Sequence, residues 1–167
     1  MVILTGGVDN RTSKPVPACD AFEAKEQVWK NLPDLNIARA CHGSCQVGDQ
    51  DLYVLGGYGR AGSSNLVTAV IEVLDLTDPH QLGWEKIWST EPLFSPRSQP
   101  VVFSPYNSRK IIILGGLGEA GEYLEDVVQY DVDKYRARKV ANCLEACFAD
   151  YWNRVDRCMD QTFILPV

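Results

Sequence analysis

Lys110 to Gly116 reads K-I-I-I-L-G-G, and the chain writes the same pattern twice more. Asp51 to Gly57 reads D-L-Y-V-L-G-G, and Met1 to Gly7 reads M-V-I-L-T-G-G. Each stretch is a short apolar run, rich in β-branched and aliphatic residues, that stops at two glycines. A run of this length and composition reads as a β-strand. A glycine pair ends a strand where the backbone takes positive φ or comes up against another backbone. The first glycines are Gly6, Gly56 and Gly115. Intervals of about fifty to sixty residues point to a tandem array of supersecondary units.

Other markers recur in the same order. After each doublet comes a loop of variable length, then a second strand-like segment: Ala18 to Phe22, Val70 to Leu76, Val127 to Val132. Each leads to an apolar residue followed by an acid, namely Phe22-Glu23, Leu74-Asp75 and Tyr130-Asp131. Trp29 and Trp84 then open a third short segment; in the third unit Tyr135 to Lys139 stands there instead. Arg39 and Arg97 follow, each after a proline (Pro33, Pro96), and a fourth strand runs from Ala40 to Val47 and from Pro100 to Phe103. A tryptophan at a fixed place can span the gap between two stacked sheets. An arginine at a fixed place can offer its fork of donors to loop carbonyls or acids across a unit boundary.

The stretch W-K-N-L-P-D-L-N-I-A-R-A-C-H-G-S, Trp29 to Ser44, followed by D-L-Y-V-L-G-G, resembles a kelch repeat. The resemblance implies an all-β fold of kelch-type β-propeller blades, each unit a four-stranded antiparallel sheet. It gives Gly6, Gly7, Gly56, Gly57, Gly115, Gly116, Trp29, Trp84, Arg39, Arg97 and Tyr130 structural places in the motif. The approximate units are 1–39, 40–97 and 98–140, with a degenerate fourth unit at 141–167. In that tail Cys147 to Trp152 and Thr162 to Val167 read as strands, with a short helix over Ala141 to Val155 as the alternative.

Propellers close with about 4–8 blades, and three units leave an incomplete ring. Three explanations stay open. The chain is a piece of a longer kelch protein. Or two chains form a homodimer that closes a six-bladed ring, exchanging a strand near Cys147 to Trp152. Or the open arc rests against another protein.

The composition narrows the function. Of 167 residues 46% are hydrophobic, and the net charge is −6. That sign disfavours nucleic acid and anionic membranes as partners. No apolar stretch approaches the ~18 residues a bilayer span needs. Without a signal-peptide pattern, the six cysteines read as free thiols in a reducing compartment, and the expected location is cytoplasmic. Cys41-x3-Cys45 and Cys143-x3-Cys147 invite a zinc reading, but structural zinc sites use tighter pairs and added histidines. In one continuous strand Cys41 and Cys45 share a face and His42 points away, so the cysteines read as small buried hydrophobes.

No catalytic constellation emerges. Copper-dependent propeller oxidases resemble this class but hold their metal on two tyrosines and two histidines; this chain has only His42 and His80. His42 reads as a side chain bonded to loop backbone, His80 as a solvated turn residue. Cys41 and His42 are adjacent, which points them apart in a strand rather than pairing them as nucleophile and base. Gly56 to Arg60 echoes a phosphate loop without the helix that must follow it. Glu125, Asp126, Asp131 and Asp133 lack the spacing of a calcium loop. The expectation is therefore no metal, no cofactor and no enzyme, but a protein-interaction module that grips a protein partner through inter-strand loops. Those loops are 8–17, 58–67, 77–83 and 117–123, with Arg11, Tyr58, Arg60, His80 and Tyr123 as candidate anchors. The alternatives are a sugar- or metal-dependent propeller-class enzyme, or a purely structural subunit contact.

Overall fold

A computed structural model describes residues 1–61, 64–90 and 92–142. In chain order the strands begin with β1 (Val2–Thr5), β2 (Val8–Asp9), β3 (Lys14–Pro15), β4 (Cys19–Glu23) and β5 (Val28–Leu32). Then come β6 (Arg39–Ala40), β7 (Gly43–Val47), β8 (Asp51–Leu55), β9 (Tyr58–Ala61), β10 (Ser64–Val67) and β11 (Ile71–Asp75). One helical turn, α1 (Pro79–Leu82), precedes β12 (Glu85–Lys86). The last are β13 (Val101–Phe103), β14 (Lys110–Leu114), β15 (Asp126–Asp131) and β16 (Arg136–Asn142). The fold is all-β, and every strand pairing is antiparallel.

Three sheets carry the architecture. The first is β1-β4-β5, the second β7-β8-β11-β12 and the third β13-β14-β15-β16. Two small sheets, β2-β3 and β6-β9-β10, sit beside them. The three large sheets repeat one register. Val2 faces Phe22, which faces Trp29. Leu52 faces Leu74, and one pair further along the β11–β12 register Leu74 meets Trp84. Ile111 faces Tyr130, which faces Ala137. The apolar residues of the three apolar-acid pairs thus hold one position in three sheets. The tryptophan position is filled by Ala137 in the third, packed against the apolar cluster that holds the fully buried Tyr130.

Period-two alternation gives each sheet two faces, and apolar layers fill the gaps between sheets. Between the first and second lie Cys19, Leu35, Leu52, Val54, Leu74 and Trp84, with Ile3 and Leu32 at the edge. Between the second and third lie Tyr53, Leu55, Ile71, Ile111, Ile113, Val128 and Tyr130, closed by Val47, Phe94 and Val132. The middle sheet is covered on both faces, so β8 reads as a near-continuous apolar run.

Four expectations need correction. Ala40 to Val47 is not one strand: it breaks at Cys41, whose φ is 52°, between β6 and β7. Cys41 therefore shares no strand face with Cys45, and it is exposed where Cys19 is buried. Trp84 spans the gap between two sheets at 5% exposure, but Trp29 stands 55% exposed, its ring tilted on that of Phe22 with centroids 5.1 Å apart. Finally, β16 runs through Asn142, so Ala141 and Asn142 are strand and not the start of a helix. The strands expected at Cys147 to Trp152 and Thr162 to Val167 lie outside the described residues, as do Cys143, Cys147 and Cys158.

Candidate functional site: the glycine end of the sheets

The doublets sit where β1, β8 and β14 end. All six glycines take positive φ, from 54° at Gly115 to 116° at Gly7. At Gly57 the reason is space as well as φ: a Cβ there would lie 2.7 Å from the Ala40 carbonyl oxygen and 2.8 Å from the His42 side chain. From every doublet the chain makes an excursion and returns to the same atom. The Val16 amide donates to the Gly7 carbonyl (2.9 Å), Thr68 to Gly57 (3.0 Å) and Leu124 to Gly116 (2.8 Å). This closing bond is indifferent to what lies between. The excursion is the β2–β3 hairpin in the first sheet, the longer β9–β10 hairpin in the second and the 117–123 loop in the third. They share one end, because β1, β8 and β14 hold one register position and each excursion joins that strand to its neighbour, β4, β11 or β15; β3 also lies against β9.

Under this end run the two repeated arginines, both wholly buried. Arg39 Nη1 donates to the carbonyls of Gly56 (2.9 Å) and Val70 (2.8 Å), and Nη2 pairs with Glu72 Oε1 at 2.6 Å. Glu72 also accepts from the amides of Asn36 (2.7 Å) and Ile37 (3.3 Å), tying down the connection from the first sheet. Burial pulls the Arg39 pKa below its usual value and the Glu72 charge works against that shift. Arg97 Nη1 donates to the Gly115 carbonyl at 2.9 Å, and its fork spans Asp126 at 2.7 and 2.9 Å. Its guanidinium lies over the Phe94 ring, 5.5 Å from the centroid. The forks thus reach loop carbonyls and an acid on the next sheet.

His42 lies where the connection enters the second sheet. Its Nε2 is 2.8 Å from the Thr5 hydroxyl, and the Thr5 backbone also acts on the ring as a hydrogen-bond partner. Nδ1 has no partner among the described residues. Burial, and then the nearby Arg39 charge, push its pKa down to about 4, so the ring is neutral at physiological pH. Beside it Cys41 and Gln99, two residues after their arginines, both take positive φ (52° and 54°), and the Gln99 amide donates to the Cys41 carbonyl at 2.7 Å.

The structure sorts the candidate anchors by end. Arg11 is exposed in the β2–β3 turn, its amide held by Asp9 Oδ1 at 2.7 Å. Tyr58 opens β9 half-buried, paired with Ala40 and Val67. The Arg60 backbone follows in β9 opposite Asn65, and its side chain lies outside the described residues. Tyr123 is exposed and its backbone bridges to Leu117. All four occupy the glycine end. His80, exposed in α1, joins a third strand to a fourth and so lies at the opposite end. There a cavity of about 380 Å³ opens between the second and third sheets, lined by Asp51, Asp75, Glu85, Arg109, Asp133 and Tyr135 among others. Half-exposed Arg109 bridges Asp51 (3.0 Å) and Asp133 (3.1 Å) across it.

Sequence reasoning missed Thr5, Glu72 and Gln99, and it weighed Asp126 only as a calcium ligand, not as the partner of Arg97. For Glu72 a signal existed: an acid inside the apolar strand Ile71–Asp75 demands a buried cation. Among the described residues no group of three or more His, Cys, Asp or Glu could hold a metal, and no helix is long and apolar enough to cross a membrane. No protein-family model matches the chain, and no curated protein matches it.

Proposed function

We propose that this chain is built of kelch-type propeller blades and serves as a non-catalytic protein-interaction module that binds a protein partner through the glycine-end excursions. The observation that carries the reading is the shared closing bond onto Gly7, Gly57 and Gly116. A framework that closes identically under three unlike excursions separates scaffold from variable surface. Loops held on a rigid frame are where recognition residues concentrate. The exposed side chains on offer, Arg11 and Tyr123 with half-buried Tyr58, belong to types enriched at interface hot spots. In support of the blade reading, one register recurs in three stacked sheets, the doublet recurs with it, and a buried arginine reaches the doublet of the second and of the third. No observation among the described residues favours the enzyme alternative.

The test is site-specific photocrosslinking in extracts of the source cells. A benzophenone side chain replaces Tyr58, Tyr123 or, as the opposite-end control, His80. The reading expects one protein captured from both Tyr58 and Tyr123 and not from His80. Capture through His80 alone, or equal capture from all three, overturns it.

A further inference from the structure

The outward face of the first sheet repeats, position by position, the face by which the second sheet packs on the first. By register Val2 matches Leu52, Leu4 matches Val54, Asp20 matches Glu72, Phe22 matches Leu74 and Trp29 matches Trp84. In the second sheet these positions are covered: Leu52, Val54, Leu74, Trp84 and Glu72 are all buried. In the first sheet Val2 and Leu4 are each 53% exposed, and Trp29 is more than half exposed. Contiguous apolar surface of this kind marks an interaction site.

The polar part of the face says what covers it. Arg39 fills the second sheet's acceptor set of Gly56 O, Val70 O and Glu72. Arg97 fills the third sheet's set at Gly115 O and Asp126. By register Asp126 stands at the place of Val70, so it is the second sheet's set that the first sheet repeats, at Gly6 O, Ala18 O (which also accepts from the Gly6 amide at 2.8 Å) and Asp20, and among the described residues the Asp20 carboxylate has no hydrogen-bond or ion-pair partner. A carboxylate flanked by carbonyl oxygens offers acceptors only, and its complement is a fork of charged donors. A lysine would satisfy fewer of these acceptors than a guanidinium does.

We infer that the outward face of the first sheet docks an arginine-bearing β-segment of another polypeptide, with the guanidinium on Gly6 O and Asp20 and apolar side chains over Val2, Leu4, Phe22 and Trp29. The occupant resembles what the chain lays on its own second sheet. Leu35-Asn36-Ile37-Ala38-Arg39 approaches Glu72, while the first sheet supplies Ile3, Cys19 and Leu32 to the apolar layer. The Trp84 indole donates to the Pro33 carbonyl at 3.0 Å, so the docked segment also places a carbonyl oxygen at the Trp29 indole. The inference rests on the internal repeat and stands apart from partner binding at the glycine end.

The test uses the full chain labelled with 5-fluorotryptophan, the Trp29 fluorine signal being assigned with Trp29→Phe. The probe is a synthetic peptide of this chain's own residues 32–47, which carries the arginine that fills the equivalent place on the second sheet. The Trp29 signal is expected to move saturably. Binding should weaken by about tenfold or more in Asp20→Asn, and likewise when citrulline replaces the peptide's arginine. Asp20→Asn itself should unfold at the wild-type temperature, since Asp20 has no partner to lose. A signal that does not respond, or a response indifferent to both changes, overturns the inference. So does a monomer whose Trp29 is shielded before any addition, because the cover then comes from the chain itself. Self-association of the chain that Asp20→Asn disperses supports the inference, with a second copy as the other polypeptide; self-association that ignores Asp20 overturns it.

Discussion

The amide of Gly57 donates to the carbonyl of Arg97 across 2.8 Å, while the side chain of Arg97 donates to the carbonyl of Gly115 at 2.9 Å. One unit earlier the amide of Gly7 donates to the carbonyl of Arg39 at 2.9 Å, and the Arg39 side chain donates to Gly56 at 2.9 Å. Each arginine therefore holds the doublet behind it by its main chain and the doublet ahead by its guanidinium. The distance between neighbouring sheets at this end is set by the reach of an arginine side chain, not by the length of any loop. That is why the excursions can differ while the sheets keep one register.

The Arg39–Glu72 pair should behave as a buried unit. Both side chains are fully buried. Replacing one partner leaves the other charge desolvated and unpaired, which costs about 3–5 kcal/mol. Arg39→Met should lose that much in urea unfolding. The double variant Arg39→Met, Glu72→Leu should recover a large part of the loss, because the stranded carboxylate is gone. A double variant as unstable as Arg39→Met alone would show that the guanidinium matters for the Gly56 and Val70 carbonyls rather than for Glu72.

The two repeated tryptophans should differ sharply despite their common register. Trp84→Ala removes a buried indole from the layer between the first and second sheets and should cost about 3–5 kcal/mol. Trp29→Ala removes a side chain that is mostly in water and should cost less than about 1 kcal/mol in the chain alone. Thermal unfolding of the two variants side by side checks this; equal losses would place Trp29 in a packed environment.

Strand phase was legible because it depends on neighbours in sequence. The doublets end strands where the apolar runs stop, and Phe22, Leu74 and Tyr130 occupy one register position as their shared place in the repeat suggested. What was not legible depends on distant partners. The acids visible beside those residues bond locally, Asp75 to Thr77 and Asp131 to Lys134. The acids that hold the arginines are Glu72, 33 residues from Arg39, and Asp126, 29 from Arg97. The break at Cys41 carries no glycine, proline or asparagine to announce it; the backbone turns there because the crossing at Gln99 and the packing of His42 require it. The exposure of Trp29 could not be read from its spacing, since burial depends on what lies against the outer face. Of the anchors, His80 shares with the rest a variable inter-strand loop, but its loop joins β11 to β12 and so lies at the far end.

The glycines of the doublets should not be equivalent to one another. Both Gly7 (φ 116°) and Gly57 (φ 88°) occupy backbone regions that side chains disfavour. A Cβ on Gly7 would meet nothing within 4 Å, whereas one on Gly57 would press on Ala40 O and His42. Gly7→Ala should cost about 1–2 kcal/mol from conformation alone. Gly57→Ala should cost roughly 2 kcal/mol more from overpacking against backbone that is itself hydrogen-bonded. Chemical denaturation of the pair separates the contributions, and equal costs would mean that the space around Gly57 relaxes freely.

His42 should make the fold sensitive to mild acid. Its folded pKa is lowered from 6.5 to about 4, through burial first and the Arg39 charge second. Above pH 6.5 the ring is neutral both folded and unfolded, and it contributes no pH dependence. Between about 6.5 and 4 the unfolded chain binds a proton that the folded chain refuses, so stability falls as pH falls. The loss approaches a limit on the order of 3 kcal/mol once the pH is below the folded pKa. Carboxylates titrate near the lower end of this window, so the informative quantity is the difference between wild type and His42→Gln, which cannot protonate. Urea unfolding at pH 7.5, 6 and 4.5 should show wild type losing stability relative to His42→Gln stepwise, with most of the difference developed by pH 4.5. Parallel curves for the two proteins would mean that His42 accepts a proton in the folded state, with Nδ1 or Nε2 finding an acceptor beyond the Thr5 hydroxyl.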